Sequence, residues 1–148
     1  MPVLVGENQI AFIAGRQILN GALIVNAVIT WLRRTKKPGA LLKIDVQKAY
    51  DIVNSFFLDS VLQQMAFGSV WRGWINSCLS IASISVLVNK TPTTPFPVKG
   101  GLQEGDPLSP FLFVLVVEVL SKVLYKASSN GIFRGLTVGQ DDVHISHL

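Results

Sequence analysis

One stretch decides the fold of this chain: Lys43-Ile44-Asp45-Val46-Gln47-Lys48-Ala49-Tyr50-Asp51. Within residues 40–46, Leu42 and Ile44 fall on one face and Lys43 and Asp45 on the other. This period of two predicts a strand with one buried face. Asp45 then lies at the strand end, with its carboxylate directed away from the buried face. A lone aspartate at such a position is also compatible with a structural or solvated side chain.

A second informative stretch is Gly101-Leu102-Gln103-Glu104-Gly105-Asp106-Pro107-Leu108-Ser109-Pro110. Its glycines predict a turn, and residues 108–126 then predict a long helix. Two caps fit the start of that helix, because Asp106 and Ser109 each precede a proline in the first turn. The helix is apolar on nearly all sides up to Val117, which predicts deep burial.

The helix predicted over residues 16–32 ends in a basic cluster, Arg33-Arg34-Thr35-Lys36-Lys37, with Pro38-Gly39 as its stop signal. The cluster has two interpretations. Cations stabilise the C-terminus of a helix, and they also bind nucleic-acid phosphates.

The remaining patterns predict a mixed architecture. Residues 57–65 indicate a helix capped by Asn54 or Ser55, and residues 70–79 a helix whose tryptophans and Cys78 lie in the core. Residues 84–89 predict a strand, followed by a hairpin loop over 90–97 and a short strand over 96–99. Residues 132–148 contain short strand-like pieces. Helices and strands without regular βαβ alternation define the α+β class.

Composition limits the possible functions. Hydrophobic residues make up 49% of the 148 residues and charged residues 15%, which is too apolar for a disordered chain. The net charge of +4 fits nucleic acid without requiring it. The longest apolar run, Phe111–Val117, is too short to span a membrane, and no secretory signal is recognised. We therefore expect an intracellular protein, nuclear or cytoplasmic, that is not secreted and has no membrane partner.

Three stretches resemble motifs of one family, the reverse transcriptases of LINE-type (non-LTR) retrotransposons. Residues 45–51 resemble motif A, in which an aspartate is followed by Lys-Ala-Phe/Tyr-Asp. Residues 101–110 resemble motif B, usually Gly-x-x-Gln-Gly-Asp-Pro-Leu-Ser-Pro. Residues 7–18 resemble the fingers segment Asn-Gln-x-Ala-Phe-x-x-Gly-Arg. The resemblance covers almost the whole chain, in the form abundant in plant genomes.

The resemblance implies an RNA-directed DNA polymerase. We expect the fingers–palm core of a right-hand polymerase, truncated at both ends, with residues 1–39 as a fingers segment and residues 40–148 as an incomplete palm with fingers elements. The implied partners are an RNA template with a DNA primer, and dNTPs. Asp45 would bind two catalytic Mg²⁺ ions, and the Val46 carbonyl would help to hold one, since Mg²⁺ prefers oxygen ligands.

The resemblance also assigns nucleotide-binding roles, one of them to Val46. Tyr50 would lie under the incoming sugar and reject a 2′-hydroxyl; by residue type alone it is equally a half-buried core tyrosine. Gly101 and Gly105 would let the backbone approach template and nucleotide, with Glu104 beside the nucleotide. Arg16 would lie near template or phosphate, unless it is an ordinary surface arginine.

Two departures from the family weaken the expected activity. Glu104 replaces the family glutamine, and a carboxylate near a triphosphate predicts weaker nucleotide binding. The Phe/Tyr-Ala-Asp-Asp motif is not recognised, because no aromatic-Ala precedes Asp141-Asp142. We also find no third ligand for a metal site with His144 and His147. These 148 residues are therefore expected to have no appreciable polymerase activity.

Two alternative functions stay open. The chain is compatible with a non-catalytic retroelement remnant that binds RNA or a protein partner through residues 33–37, or that has no selected function. A metal nuclease built on Asp45 and Asp51 would explain motif A but would leave residues 101–110 unexplained.

Overall fold

A computed structural model of the protein describes residues 4–6, 8–81, 83–97, 100–138 and 143–147. The chain forms two compact units, one from residues 1–45 with 117–148 and one from residues 46–116. The helices and strands, in chain order, are α1 (Ile18–Thr35), α2 (Ser55–Gln64), α3 (Ser69–Ile81), β1 (Ser83–Ile84), β2 (Leu87–Val88), β3 (Thr91–Pro92), β4 (Phe96–Pro97), α4 (Ser109–Ser129), β5 (Leu136–Val138) and β6 (Val143–Ile145).

Helix α1 belongs to the first unit; it starts two residues and ends three residues later than predicted. Val28 is buried, and Val25, Ile29 and Leu32 are half-buried along the same side. Ile18, the first residue of the helix, is exposed. The helix ends where Lys36 adopts a left-handed conformation, with φ of 51°. Pro38 follows two residues later and prevents the helix from continuing.

The tail of the chain forms a short antiparallel hairpin in the same unit. Strand β5 pairs with β6 in the register Leu136 to Ile145 and Val138 to Val143, which confirms the predicted strand-like pieces. Asp141-Asp142 lie outside the described residues.

In the second half of α4, Glu118 is buried, and its Oε2 accepts a hydrogen bond of 2.9 Å from the Gly6 amide.

The second unit contains the helix pair α2 and α3. The Asn54 side chain caps α2, because its Oδ1 accepts hydrogen bonds from the amides of Phe56 (2.8 Å) and Phe57 (3.2 Å). The two helices are also joined by an ion pair of 2.9 Å between Asp59 and Arg72.

The predicted strand over residues 84–89 is split between two ladders. Strand β1 pairs with β4, and β2 pairs with β3, both antiparallel. Between them, the Thr93 hydroxyl accepts from the Val86 amide at 3.1 Å, and the Thr93 carbonyl accepts from the Ser85 hydroxyl at 2.9 Å. The Thr93 amide also donates to the Val86 carbonyl at 2.9 Å. Between the two ladders, Ser85 and Val86 are thus joined to Thr93 by both side-chain and backbone bonds. The predicted second strand is present at Phe96–Pro97, and Val98 and Lys99 lie outside the described residues.

The core of the second unit is built on the first half of α4. Leu112, Val114 and Leu115 are at most 2% exposed, as are Leu58 and Leu62 of α2. Burial is not uniform around the helix, however, because Phe111 is 47% exposed. The predicted deep burial is therefore confirmed for one side of the helix only.

The predicted strand over residues 40–46 is wrong. This segment is irregular, and its apolar side chains are exposed: Leu42 by 82% and Ile44 by 61%. A strand is stabilised by hydrogen bonds to a neighbouring strand, and no described segment pairs with these residues. The alternating pattern therefore has no pairing strand within the described part of the chain.

The predicted burial of Cys78 and Trp74 is also wrong, since both are exposed. On α3, Ile75 is buried, and Trp71 and Leu79 are half-buried along the same stripe. Trp74 and Cys78 form the adjacent stripe, which has the same helical spacing but no covering element among the described residues. Helical spacing alone did not distinguish the two stripes.

The described elements are mixed helices and short strands, which agrees with the α+β class. Within the described residues, no helix has the length and apolar character needed to cross a membrane.

Candidate active site

Asp45 and Val46 lie in the irregular segment rather than at a strand end. Both residues are exposed, Val46 by 46%. Among the residues that the structure describes, no helix or strand holds Asp45 in place. The Asp45 carboxylate is therefore accessible to a ligand but not fixed by regular structure.

The donor chemistry at Asp45 suits Mg²⁺ only in part. A carboxylate is the hard oxygen ligand that Mg²⁺ prefers. A two-ion site needs several such ligands, but the described part of the chain contains no group of three or more His, Cys, Asp or Glu side chains that would hold a metal ion. The described residues therefore do not complete a two-ion site.

Tyr50 occupies a turn over residues 47–52 in the second unit. Lys48 has a φ of 53°, and the Ile52 amide donates to the Lys48 carbonyl at 3.3 Å. The half-buried Tyr50 ring lies against Phe113 of α4, with ring centroids 4.9 Å apart and an angle of 31° between the planes. Phe113 therefore supports one side of the Tyr50 ring.

The motif A turn is bonded directly to the start of motif B. The Leu102 amide donates to the Tyr50 carbonyl at 2.8 Å. Gly101 has a φ of 79°, and a Cβ there would lie 2.7 Å from both the Cα and the carbonyl oxygen of Asp51. Only glycine permits this approach. We call residues 50–51 with residues 101–102 the motif junction.

The motif junction gives Gly101 a role within the chain. The backbone that approaches Gly101 closely is that of Asp51. The contact of Gly101 with nucleic acid stays a prediction.

Residues 103–109 form the entry to α4. The Asp106 Oδ1 accepts a 2.8 Å hydrogen bond from the Leu108 amide, whereas the buried Ser109 hydroxyl has no partner among the described residues. Asp106 is thus the cap at this end. Glu104 and Gly105 are exposed, and Gly105 has a φ of 88° with open space around it. Both are accessible, as a nucleotide contact requires.

Arg16 belongs to the first unit and stabilises the segment before α1. Its Nη1 donates hydrogen bonds to the carbonyls of Gly6 and Gln9. Arg16 thus has a structural role within the chain that neither interpretation anticipated. Its contact with template or phosphate stays a prediction. In the same unit, His147 lies within hydrogen-bond distance of Ser121 Oγ (2.9 Å) and Asn8 Nδ2 (3.2 Å).

Two residues of the site were not singled out by sequence reasoning. Leu102 is 2% exposed, and its amide makes the junction bond. It is the lone apolar residue between Gly100 and Pro107, which is a usable signal of burial. Phe113 gave no such signal, because it is one of many apolar residues in α4.

Comparison with known proteins agrees with the two motifs. Residues 2–146 match the family model described as reverse transcriptase (RNA-dependent DNA polymerase). The chain is 27% identical over 142 residues to the transposon TX1 uncharacterized 149 kDa protein of Xenopus laevis, covering 96% of this chain and 10% of that protein. It is 29% identical over 128 residues to a retrovirus-related Pol polyprotein from the type-1 retrotransposable element R2 of Popillia japonica, covering 86% of this chain and 17% of that protein.

A third similar protein comes from a plant. An uncharacterized mitochondrial protein of Arabidopsis thaliana is 39% identical over 62 residues, which are 42% of this chain and 51% of that protein. The chain thus spans between a tenth and about half of the length of these curated relatives.

Proposed function

The chain belongs to the reverse transcriptase (RNA-dependent DNA polymerase) family, and we propose that it acts as the motif A and motif B part of a non-LTR retrotransposon polymerase. The reaction is transfer of a nucleotide from a dNTP to the 3′-OH of a DNA primer, directed by an RNA template. In this proposal residues 1–39 are a fingers segment and residues 40–148 are palm with fingers elements, in a right-hand arrangement. The plant-like form is part of the proposal and is supported by the Arabidopsis relative.

The motif junction is the observation that carries the proposal. The Leu102 amide, 2.8 Å from the Tyr50 carbonyl, joins the residues that follow Asp45 to the turn that contains Glu104 and Gly105. Functional motifs about fifty residues apart in sequence are thereby held together by backbone contacts. This is the arrangement expected when both motifs contribute to one nucleotide site.

Tyr50 is the residue proposed to reject ribonucleotides. Rejection of a 2′-hydroxyl by contact requires a bulky group that does not yield, and the Tyr50 ring is supported by Phe113. A smaller side chain would leave room for the hydroxyl. Tyr50→Ala is therefore expected to increase ribonucleotide incorporation relative to deoxyribonucleotide incorporation.

Asp45 is the proposed catalytic carboxylate, with the Val46 carbonyl as an additional oxygen ligand. Bound Mg²⁺ would supply stabilisation of the charge on the transferring phosphate. Since the described residues hold no complete ligand set, the 148 residues alone are proposed to be inactive. Detectable primer extension by the purified chain that disappears on Asp45→Asn would contradict this part of the proposal.

The experiment that tests the function is primer extension with the longest translated product that contains residues 1–148. Sequencing transcripts through codon 148 defines that product. On an RNA template with Mg²⁺ and dNTPs, we expect extension, with weaker discrimination against ribonucleotides for Tyr50→Ala. Phe113→Leu tests whether the Phe113 ring holds Tyr50 in position, because this substitution leaves Tyr50 in place and removes the aromatic ring beside it. Extension by both variants with wild-type discrimination would contradict the proposed role of Tyr50.

A further inference from the structure

Positive charge is concentrated in one part of the first unit. Residues 8–44 contain six basic and no acidic residues, whereas the whole chain carries a net charge of only +4. Four of the six, Arg33, Arg34, Lys36 and Lys37, lie within five consecutive positions at the end of α1. None of them takes part in the two ion pairs formed among the described residues.

Stabilisation of the helix end does not explain the whole cluster. Arg33 and Arg34 lie in the last turn of α1, where cations interact favourably with the helix dipole. Lys36 is the left-handed cap, beside the same terminal carbonyls, and Lys37 lies beyond it. The charge of Lys37 needs another explanation, since the dipole effect weakens beyond the helix end.

The chain beyond the helix turns back and brings one of its cations, Lys37, to an aromatic ring. The Lys37 ammonium lies 4.9 Å from the centroid of the Trp31 ring. A Cβ on Gly39 would lie only 3.0 Å from the Leu32 methyl groups, so the chain passes close to the helix here. The Thr35 hydroxyl donates to the Trp31 carbonyl at 2.8 Å. Trp31 and the basic cluster therefore form one surface.

An open groove of about 550 Å³ lies along this side of α1. The groove is lined by side chains that offer an aromatic face, an amide, hydroxyls, a guanidinium and one methyl group, namely Trp31, Asn26, Thr30, Thr35, Arg34 and Ala27. An aromatic face stacks a base, amides and hydroxyls bind base edges, and a guanidinium binds phosphate. We define Trp31, Arg33, Arg34, Lys36 and Lys37 as the α1-end surface.

We propose that the α1-end surface binds single-stranded nucleic acid. The four cations contact successive phosphates, and Trp31 stacks on a base. Single strands fit better than duplex, because their base faces are free to stack on an aromatic ring. This site goes beyond the proposed polymerase function, since none of its residues belongs to either motif.

The salt dependence of binding tests the electrostatic part. The probe is a fluorescently labelled twelve-nucleotide oligo(U), and its anisotropy is measured with the full chain. With four phosphate contacts, the affinity should fall roughly 50-fold between 50 and 200 mM salt, since the slope is about −0.7 per contact. For Arg33→Ala/Arg34→Ala the fall should be about 7-fold over the same range. The matched control Lys126→Ala/Arg134→Ala removes two exposed cations elsewhere and should keep the wild-type salt dependence.

The stacking part is tested separately with Trp31. Trp31→Ala should weaken oligo(U) binding about 5- to 150-fold without changing the salt dependence. Trp31→Phe keeps an aromatic face and should restore most of the affinity. The control Trp74→Ala removes the 64%-exposed tryptophan of α3 and should leave binding unchanged. Circular dichroism is measured to check that each variant is folded.

Three results would overturn the proposal: binding that is indifferent to salt, equal losses in the α1-end variants and their controls, or tighter binding of a duplex of equal charge. Asp45→Asn separates this site from the polymerase proposal. It should leave oligo(U) binding at the wild-type level, and loss of binding in this variant would place the nucleic acid at the motifs instead.

Discussion

Replacing Gly101 by alanine tests whether the motif junction holds the second unit together. Gly101 has a left-handed φ of 79°, and an added Cβ would lie 2.7 Å from two backbone atoms of Asp51. Those atoms cannot rotate away as the end of a flexible side chain would. The junction must therefore open, or the strain must be absorbed by the turn.

The expected destabilisation has two parts. A non-glycine residue in the left-handed region costs about 1–2 kcal/mol, and forcing atoms into a tightly packed site costs about 1–3 kcal/mol. Gly101→Ala should therefore lower the free energy of unfolding by about 2–5 kcal/mol. A loss of this size is a large fraction of the stability of a small domain.

Substitutions at two other glycines separate the cost of the left-handed conformation from the cost of close packing. Gly105 has a φ of 88°, and no described atom lies within 4 Å of an added Cβ, so Gly105→Ala should cost only the conformational part, about 1–2 kcal/mol. Gly73 lies inside α3 with open space around it, so Gly73→Ala should stabilise the protein by about 0.5–1 kcal/mol. Urea denaturation followed by circular dichroism measures all three values.

The reasoning would be refuted if Gly101→Ala and Gly105→Ala lowered the free energy of unfolding equally. Equal losses would mean that Asp51 does not approach Gly101 closely in solution. The motif junction would then have no support.

Three further perturbations probe other parts of the structure. Asn54→Ala removes the cap of α2 and should lower the free energy of unfolding by about 1 kcal/mol in urea denaturation; an unchanged midpoint would argue against the cap. A double-mutant cycle of Asp59→Ala with Arg72→Ala should give a coupling energy of about 0.5–1 kcal/mol, since the pair is partly exposed; a coupling of zero would contradict the ion pair. Glu104→Gln should tighten binding of a fluorescent dNTP roughly threefold, as expected for removing a repulsion between charges about 6 Å apart in water; unchanged or weaker binding would show that Glu104 is remote from the triphosphate.

The helices were predictable because their signals are local. The Asn54 cap of α2, the Pro38 stop after α1 and the Asp106-Pro107 start of α4 each act within a few residues of the helix end. The hairpin of β5 and β6 was also visible as short strand-like pieces. Such features depend on backbone geometry and neighbouring side chains, which the sequence contains.

The wrong predictions concern features that depend on distant partners. Residues 40–46 have the pattern of a strand but no paired neighbour among the described residues. Trp74 and Cys78 have helical spacing, yet only the adjacent stripe with Ile75 is buried. A pattern of apolar residues shows which face is available for packing, whereas the presence of a packing partner is a property of the tertiary structure.

The motif junction was only half predictable. The glycine at position 101 indicates that something must approach closely. The sequence did not indicate that the approaching group is the Asp51 backbone, because the residues are about fifty positions apart and the bond from Leu102 to Tyr50 involves only main-chain atoms. Main-chain contacts leave little trace in side-chain identity.

The most direct test of the central claim is the effect of Asp45→Asn on primer extension by the translated product that contains residues 1–148. Asparagine keeps the size of the side chain and removes the charge that would bind Mg²⁺. If Asp45 is the catalytic carboxylate, the rate on an RNA template should fall at least about 100-fold, equivalent to about 2.7 kcal/mol of transition-state stabilisation. A variant that extends primers at the wild-type rate would contradict the assignment of Asp45 and, with it, the proposed role of motif A.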